Sequence, residues 1–113
     1  MARIINVTDL GIVFKCSCCQ KIHIEFNNLN FNFTEEQYRA FCEYLNNLDG
    51  AYWEEKNKHS VFRRKIRIPL DQSSVCLMLN KEELTGLRRL LSGPYASVES
   101  DLASQMTDRW CLN

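Results

Sequence analysis

The apolar positions of the chain first repeat every second residue and then change period. Over residues 21–26, Ile22, Ile24 and Phe26 alternate with polar residues, and Leu29, Phe31 and Phe33 resume the pattern after Asn27-Asn28. A period of two places every second side chain on one face, so both stretches predict strands with one buried face. The Asn-Asn step between them predicts a tight hairpin. The period then lengthens. Thr34 followed by Gln37 has the layout of a capping box, and Tyr38, Phe41, Cys42 and Leu45 lie on one helical stripe.

A second copy of this pattern follows. Ile66, Ile68 and Leu70 alternate, and after a turn at 71–74 so do Val75, Leu77 and Leu79. Asn80 with Glu83 forms a second capping box, ahead of a stripe of Leu84, Leu87 and Leu91 with Leu90 beside it. The segments beginning at Leu29 and at Val75 align without a gap. The chain therefore predicts an α+β fold made of a duplicated β-hairpin–helix unit, with pseudo-repeats at about 11–48 and 60–92 inside a single domain, 1–113. One further strand is expected ahead of each unit, at 11–15 and at 60–64. The four central strands are expected to join in one antiparallel sheet with helices on one face, the halves related by a pseudo-twofold axis. A lone hairpin is marginally stable in water, so each half should need the other.

Segment 46–59 is polar apart from Ala51, Tyr52 and Trp53, and reads as a loop, a helix extension or an insertion. Ser92-Gly93-Pro94 is a helix stop, after which a weak short helix is expected near 97–106. The tail Trp110-Cys111-Leu112 is apolar and is expected to dock on the domain. The sheet face away from the helices should carry His23, Glu25, Asn30, Asn32, Lys65, Arg67, Cys76 and Met78. Cys76 and Met78 make that face partly apolar. Cover is expected from the C-terminal segment, from Ile4-Ile5-x-Val7, or from a second copy of the chain.

Charge and length narrow the partners. The formal net charge of the 113 residues is +0 with a pI near 6.7, so no global field draws the chain to nucleic acid or to an anionic membrane. No stretch approaches the roughly 18 apolar residues of a membrane span. Residues 1–10 lack the apolar run of a signal peptide, which points to a cytoplasmic protein with reduced thiols.

The six cysteines are Cys16, Cys18, Cys19, Cys42, Cys76 and Cys111. Three of them crowd into Lys15-Cys-Ser-Cys-Cys-Gln-Lys-Ile22, a poor layout for a disulfide framework. Cys16 and Cys19 have C-x-x-C spacing between two predicted strands, hence at a hairpin tip. Zinc knuckles have that form, with two thiolates bent toward one ion. A redox C-x-x-C normally opens a helix, and here a strand follows. Cys16, Cys19 and Cys18 are the candidate metal ligands, with zinc as the cofactor, and the alternative is a turn of unligated thiols. A closed zinc site takes four ligands, and His23 is a further local candidate. The alternation with Ile22 and Ile24 assigns His23 to the opposite sheet face. Cys42 lies on the apolar stripe of the first helix and reads as a core residue.

The run Cys16-x-x-Cys19-x-x-Ile22-x-Ile24-x-Phe26-x-Asn28-Leu29, followed by a capped amphipathic helix, resembles a small bacterial family of uncharacterised proteins. That family has a C-x-x-C start, an alternating strand, a Phe-Gly-Asn turn and a later strand–helix segment. The resemblance covers roughly residues 16–91. Asn27 stands where the family pattern tends to have glycine. The resemblance implies no activity.

Other chemistry is sparse. Arg63, Arg64, Lys65 and Arg67 make a basic run, with Arg88 and Arg89 on the second helix and Phe62 as the adjacent aromatic. Phosphate contacts would use such a run, and an edge strand guarded by cations explains it equally well. His23 and His59 have no acid or nucleophile at a known catalytic spacing, and the four glycines are scattered. The reading is a non-catalytic interaction or regulatory domain with a zinc-knuckle-like hairpin tip, whose partner is another protein or a second copy. The alternatives are a thiol-based redox or metal sensor at the Cys16–Cys19 cluster and a weak nucleic-acid binder.

Overall fold

The structure is a computed structural model that describes residues 2–70 and 74–92. Its elements are β1 (Ala2–Thr8), β2 (Gly11–Cys16), β3 (Ile22–Phe26), β4 (Leu29–Phe33), α1 (Glu35–Asn47), α2 (Gly50–Lys56), β5 (Ile66–Pro69), β6 (Cys76–Leu79) and α3 (Lys81–Leu91). The class is α+β, and each copy of the hairpin–helix unit is present as β3–β4–α1 and β5–β6–α3.

Local chemistry sets the element ends. The side chains of Thr34 and Asn80 each accept a hydrogen bond from the backbone N–H three residues on, and the cap N–H donates in return to the side-chain oxygen of Gln37 or Glu83. Both predicted capping boxes are thus formed. Asn27 turns the β3–β4 hairpin with φ 54, the left-handed region that asparagine enters more easily than other side chains. Segment 46–59 contains a helix of its own, α2, because Asp49 caps it through Tyr52 N.

Two sheets form where one was expected. β1, β2, β3 and β4 make an antiparallel meander in that order, and β5–β6 is a separate two-stranded ladder. The first sheet is extended on its β2 side by β1. Ile4-Ile5-x-Val7 is a strand, not a cover, and it pairs with β2, which in turn pairs with β3. A register shift between Ile4 and Asn6 breaks its alternation, so period two could not reveal it. Residues 60–64 form no strand either. Lys65 Nζ donates to Ser60 O at 2.7 Å, to Ser60 Oγ at 3.3 Å and to Phe62 O, folding the segment around its ammonium. The residues expected on one open sheet face are consequently divided between two sheets. Turn residues 71–73, the helix expected near 97–106 and the 110–112 tail lie outside the described residues.

One face of the meander supplies the core. The register sets Val13, Ile24 and Phe31 in one row and Lys15, Ile22 and Phe33 in another. Val13, Ile24 and Phe26 are fully covered, together with Ile66 and Ile68 of β5 and Leu84, Leu87 and Leu90 of α3. So α3 is the element that binds the two sheets into one core. Gly11 lets β2 approach closely, since a Cβ there would collide with Glu25 O. Two long-range polar contacts tie helix ends down. Asn6 Nδ2 donates to Arg89 O at 3.1 Å and to Leu90 O at 2.8 Å, closing the end of α3. Arg88 Nε donates to Leu45 O at 2.9 Å, and its other arm reaches Leu48 O. A cation from α3 thereby caps α1, whose own last turn has no basic residue.

Candidate metal centre

The hairpin tip between β2 and β3 begins at Cys16. Gln20 N donates to Cys16 O at 2.9 Å, and Cys16 N donates to Lys21 O at 3.0 Å. Gln20 has φ 60, which returns the chain toward β3 directly after Cys19. The Gln20 side chain donates to Ser17 O at 3.0 Å and bridges the turn. Inside this turn the backbone N–H of Cys19, with that of Cys18, donates to Cys16 Sγ, and the Cys19 and Cys18 thiols approach it as well. These donors outweigh desolvation and pull the Cys16 thiol down to about 7. N–H groups aimed at sulfur stabilise a thiolate, which is the form that binds metal.

His23 completes a trio. Cys16, Cys19 and His23 place one donor atom each so that all three lie within 4.8 Å of one another. Cys19 Sγ is 3.2 Å from His23 Nε2. Around a tetrahedral zinc, with bonds of about 2.3 Å to sulfur and about 2.0 Å to nitrogen, neighbouring donors stand about 3.5–3.8 Å apart. The trio is therefore close to a ligating geometry and could hold a metal ion. Cys16 and His23 are half-buried and Cys19 is exposed, so the centre sits at the surface of the tip.

The orientation of His23 comes from its cross-strand neighbours. Phe14 opposes it on β2 and Asn32 opposes it on β4. The Phe14 ring stacks on the imidazole with centroids 4.9 Å apart and planes inclined by 27°. Asn32 Oδ1 lies 2.5 Å from His23 Nδ1. A carbonyl oxygen only accepts, so Nδ1 is the donor in this contact, and Nε2 is the ring nitrogen that faces Cys19. Ligating histidines commonly donate their other N–H to a carbonyl or carboxylate in this way.

His23 does belong to the face opposite Ile22 and Ile24, as its alternation required. Cys16 shares that face, because it follows Phe14 by two residues on β2 and Phe14 pairs with His23. Parity along β2 joins Cys16 to Phe14, and only the β2–β3 register joins that face to the one that carries His23. Cys18 is exposed in the same turn, its thiol and N–H directed to Cys16. Cys42 stands apart on α1, where burial pushes its thiol up against a hydrogen bond with Tyr38. Cys76 Sγ lies 3.8 Å from Met78 Sδ on β6. Cys111 lies outside the described residues. His59 is exposed in the segment after α2.

The basic run is divided. Arg64 binds Glu83 through two contacts of 2.6 and 2.9 Å, and Arg88 is turned to the end of α1. No helix among the described residues is long and apolar enough to cross a membrane.

Neither the curated proteins nor the solved structures give a match to the chain. A family model does, and it spans residues 1–111, the cysteine turn and both hairpin–helix units included. The chain belongs to that family, DUF6686, a family of unknown function.

Proposed function

We propose that the chain is a non-catalytic interaction module whose β2–β3 tip is closed by zinc, with Cys16, Cys19 and His23 as protein ligands. The observation that carries this reading is the His23 orientation. A histidine held by Asn32 at Nδ1, with Nε2 facing Cys19, has the arrangement of a ligand rather than of a solvated surface ring. The choice of zinc rests on the donor set, since two thiolates and an imidazole suit a borderline-soft ion. Three protein ligands leave a fourth position, for which the exposed Cys18 of the same turn is the nearest candidate by sequence. The chemistry expected of the ion is structural. It would tie the two strands of the hairpin together at a turn that has little apolar material of its own.

The test is native mass spectrometry of the full chain purified under reducing conditions without chelator. One zinc per chain is expected, and the Cys16→Ser variant should lose it. Full metal retention in that variant, or a zinc-free wild-type mass, overturns the reading. One zinc per two chains would also overturn it, in favour of a site shared between copies.

A further inference from the structure

Three thiols converge in the β2–β3 turn, and the ends of that turn are pinned. Cys16 O accepts from Gln20 N at 2.9 Å, Cys16 N donates to Lys21 O at 3.0 Å, and the Gln20 side chain bridges back to Ser17 O at 3.0 Å. Inside this frame the sulfurs of Cys16 and Cys19 lie within 4.8 Å of each other. The thiols of Cys19 and Cys18 are both within hydrogen-bonding reach of Cys16 Sγ. A disulfide brings two sulfurs to about 2.05 Å with the Cα atoms about 4.4–6.8 Å apart. Sulfurs that already face each other across a closed turn reach that bond by side-chain rotation.

The pairing within the turn follows from strain. Cys18 and Cys19 are neighbours, and a bridge between them would distort the peptide that joins them. Cys16 is therefore one partner, and its C-x-x-C spacing with Cys19 gives the wider and less strained ring. Among the other described cysteines, Cys42 is bonded to Tyr38 and Cys76 lies against Met78, so neither is placed to compete.

Bridge and metal draw on the same electrons. Ligation takes both sulfurs as thiolates, and a disulfide offers none. Of the trio only His23 would remain a donor, and one imidazole does not hold a structural zinc. The oxidation balances with hydrogen peroxide as the oxidant. One thiol takes an oxygen to become a sulfenic acid and releases water; the other thiol then attacks that sulfur, the S–S bond forms, the S–O bond breaks and a second water leaves. His23 Nε2, 3.2 Å from Cys19 Sγ, is within reach of the proton that Cys19 gives up. The turn leads into β3 and opens no helix, so the bridge is a state of the turn rather than a step in oxidoreductase turnover.

We infer that the β2–β3 tip is a redox-controlled metal site, in which peroxide joins Cys16 to Cys19 and the bridge ejects the ion. The ion is the zinc of the reading above, on which its release rests, whereas the bridge needs only Cys16 and Cys19.

The test treats the full chain with hydrogen peroxide in two portions, one reduced and loaded with zinc, the other reduced and stripped by chelator. Released zinc is read with a chromophoric chelator, and the remaining thiols are alkylated. Trypsin then cuts after Lys15 and Lys21 and frees one peptide that carries Cys16, Cys18 and Cys19. Three alkyl groups on that peptide are expected before oxidation. Afterwards one alkyl group and a mass lower by two hydrogens are expected in both portions, with zinc released in proportion to the fraction bridged. Dithiothreitol followed by fresh zinc should restore the loaded chain. In the stripped portion Cys18→Ser should still bridge, whereas Cys16→Ser and Cys19→Ser should keep both remaining thiols open to alkylation. Three alkyl groups after oxidation in either portion, a bridge that persists in Cys16→Ser or Cys19→Ser, or zinc retained by the bridged chain overturns this inference alone. A chain that takes up no zinc before oxidation overturns the zinc reading and this inference with it.

Discussion

The most direct probe of the proposed metal centre is a residue that would not itself touch the ion. Asn32 holds the imidazole of His23 through a 2.5 Å contact at Nδ1, while Phe14 covers one ring face. In Asn32→Ala the ring keeps its stacking partner and loses its hydrogen-bond partner. Both tautomers and both ring flips then become accessible, and the orientation must be selected when metal binds. Replacing a partner of this kind usually costs 10–100-fold in metal affinity, about 1.4–2.7 kcal/mol. Asn32 is exposed, so the metal-free fold should change by no more than about 0.5 kcal/mol. Asn32→Asp should hold affinity at or above wild type, since a carboxylate accepts the same proton with charge assistance. The assay is zinc competition against a chromophoric chelator at fixed pH, with denaturant unfolding of the metal-free chains as the control. An Asn32→Ala affinity within threefold of wild type would refute the assigned role of His23. Equal losses in Asn32→Ala and Asn32→Asp would mean that the amide matters for something other than the proton on Nδ1.

Two further predictions concern stability. Arg88→Ala removes the donors to Leu45 O and Leu48 O at the end of α1 and should cost about 2 kcal/mol in chemical denaturation, with Arg88→Lys intermediate; a loss under about 0.5 kcal/mol would show that the cap is replaced by water. Hydrogen bonding from Arg64, and then the Asn80 N–H, holds the Glu83 carboxyl below its usual range. Its contribution is therefore complete above the unfolded value of about 4.3 and is lost as pH falls through the lowered folded value. The stability difference between wild type and Glu83→Gln should accordingly be flat above about pH 5 and shrink below about pH 4.3; a difference that grows on acidification contradicts this assignment.

Most local structure could be read from the residues themselves. Capping boxes, hairpin turns and amphipathic stripes depend on neighbours within four positions, and both β–α units follow from that range alone. Cys16 and Cys19 as a pair on a hairpin tip were legible for the same reason. β1 was not, because a bulge at its centre erases the period that identifies a strand. Nor was α2, a helix of seven residues whose main signal is a single aspartate cap. The division into two sheets depended on which strands pair, and β3 pairs with β2 and β4 while β5 and β6 pair with each other. Strand order is a property of pairing at a distance, and no pattern within one strand encodes it.

The centre itself shows where that boundary falls. The sequence by itself determined that two thiols share a tight turn, that His23 lies on the face away from the core, and that a second copy of the unit follows. Only the tertiary structure decided that Cys16 stands on the same face as His23, that Asn32 meets its Nδ1 from the next strand, and that the strands divide into two sheets. Spacing acts along the chain, whereas ligand convergence is set by register, and register is fixed by which strands the core brings side by side.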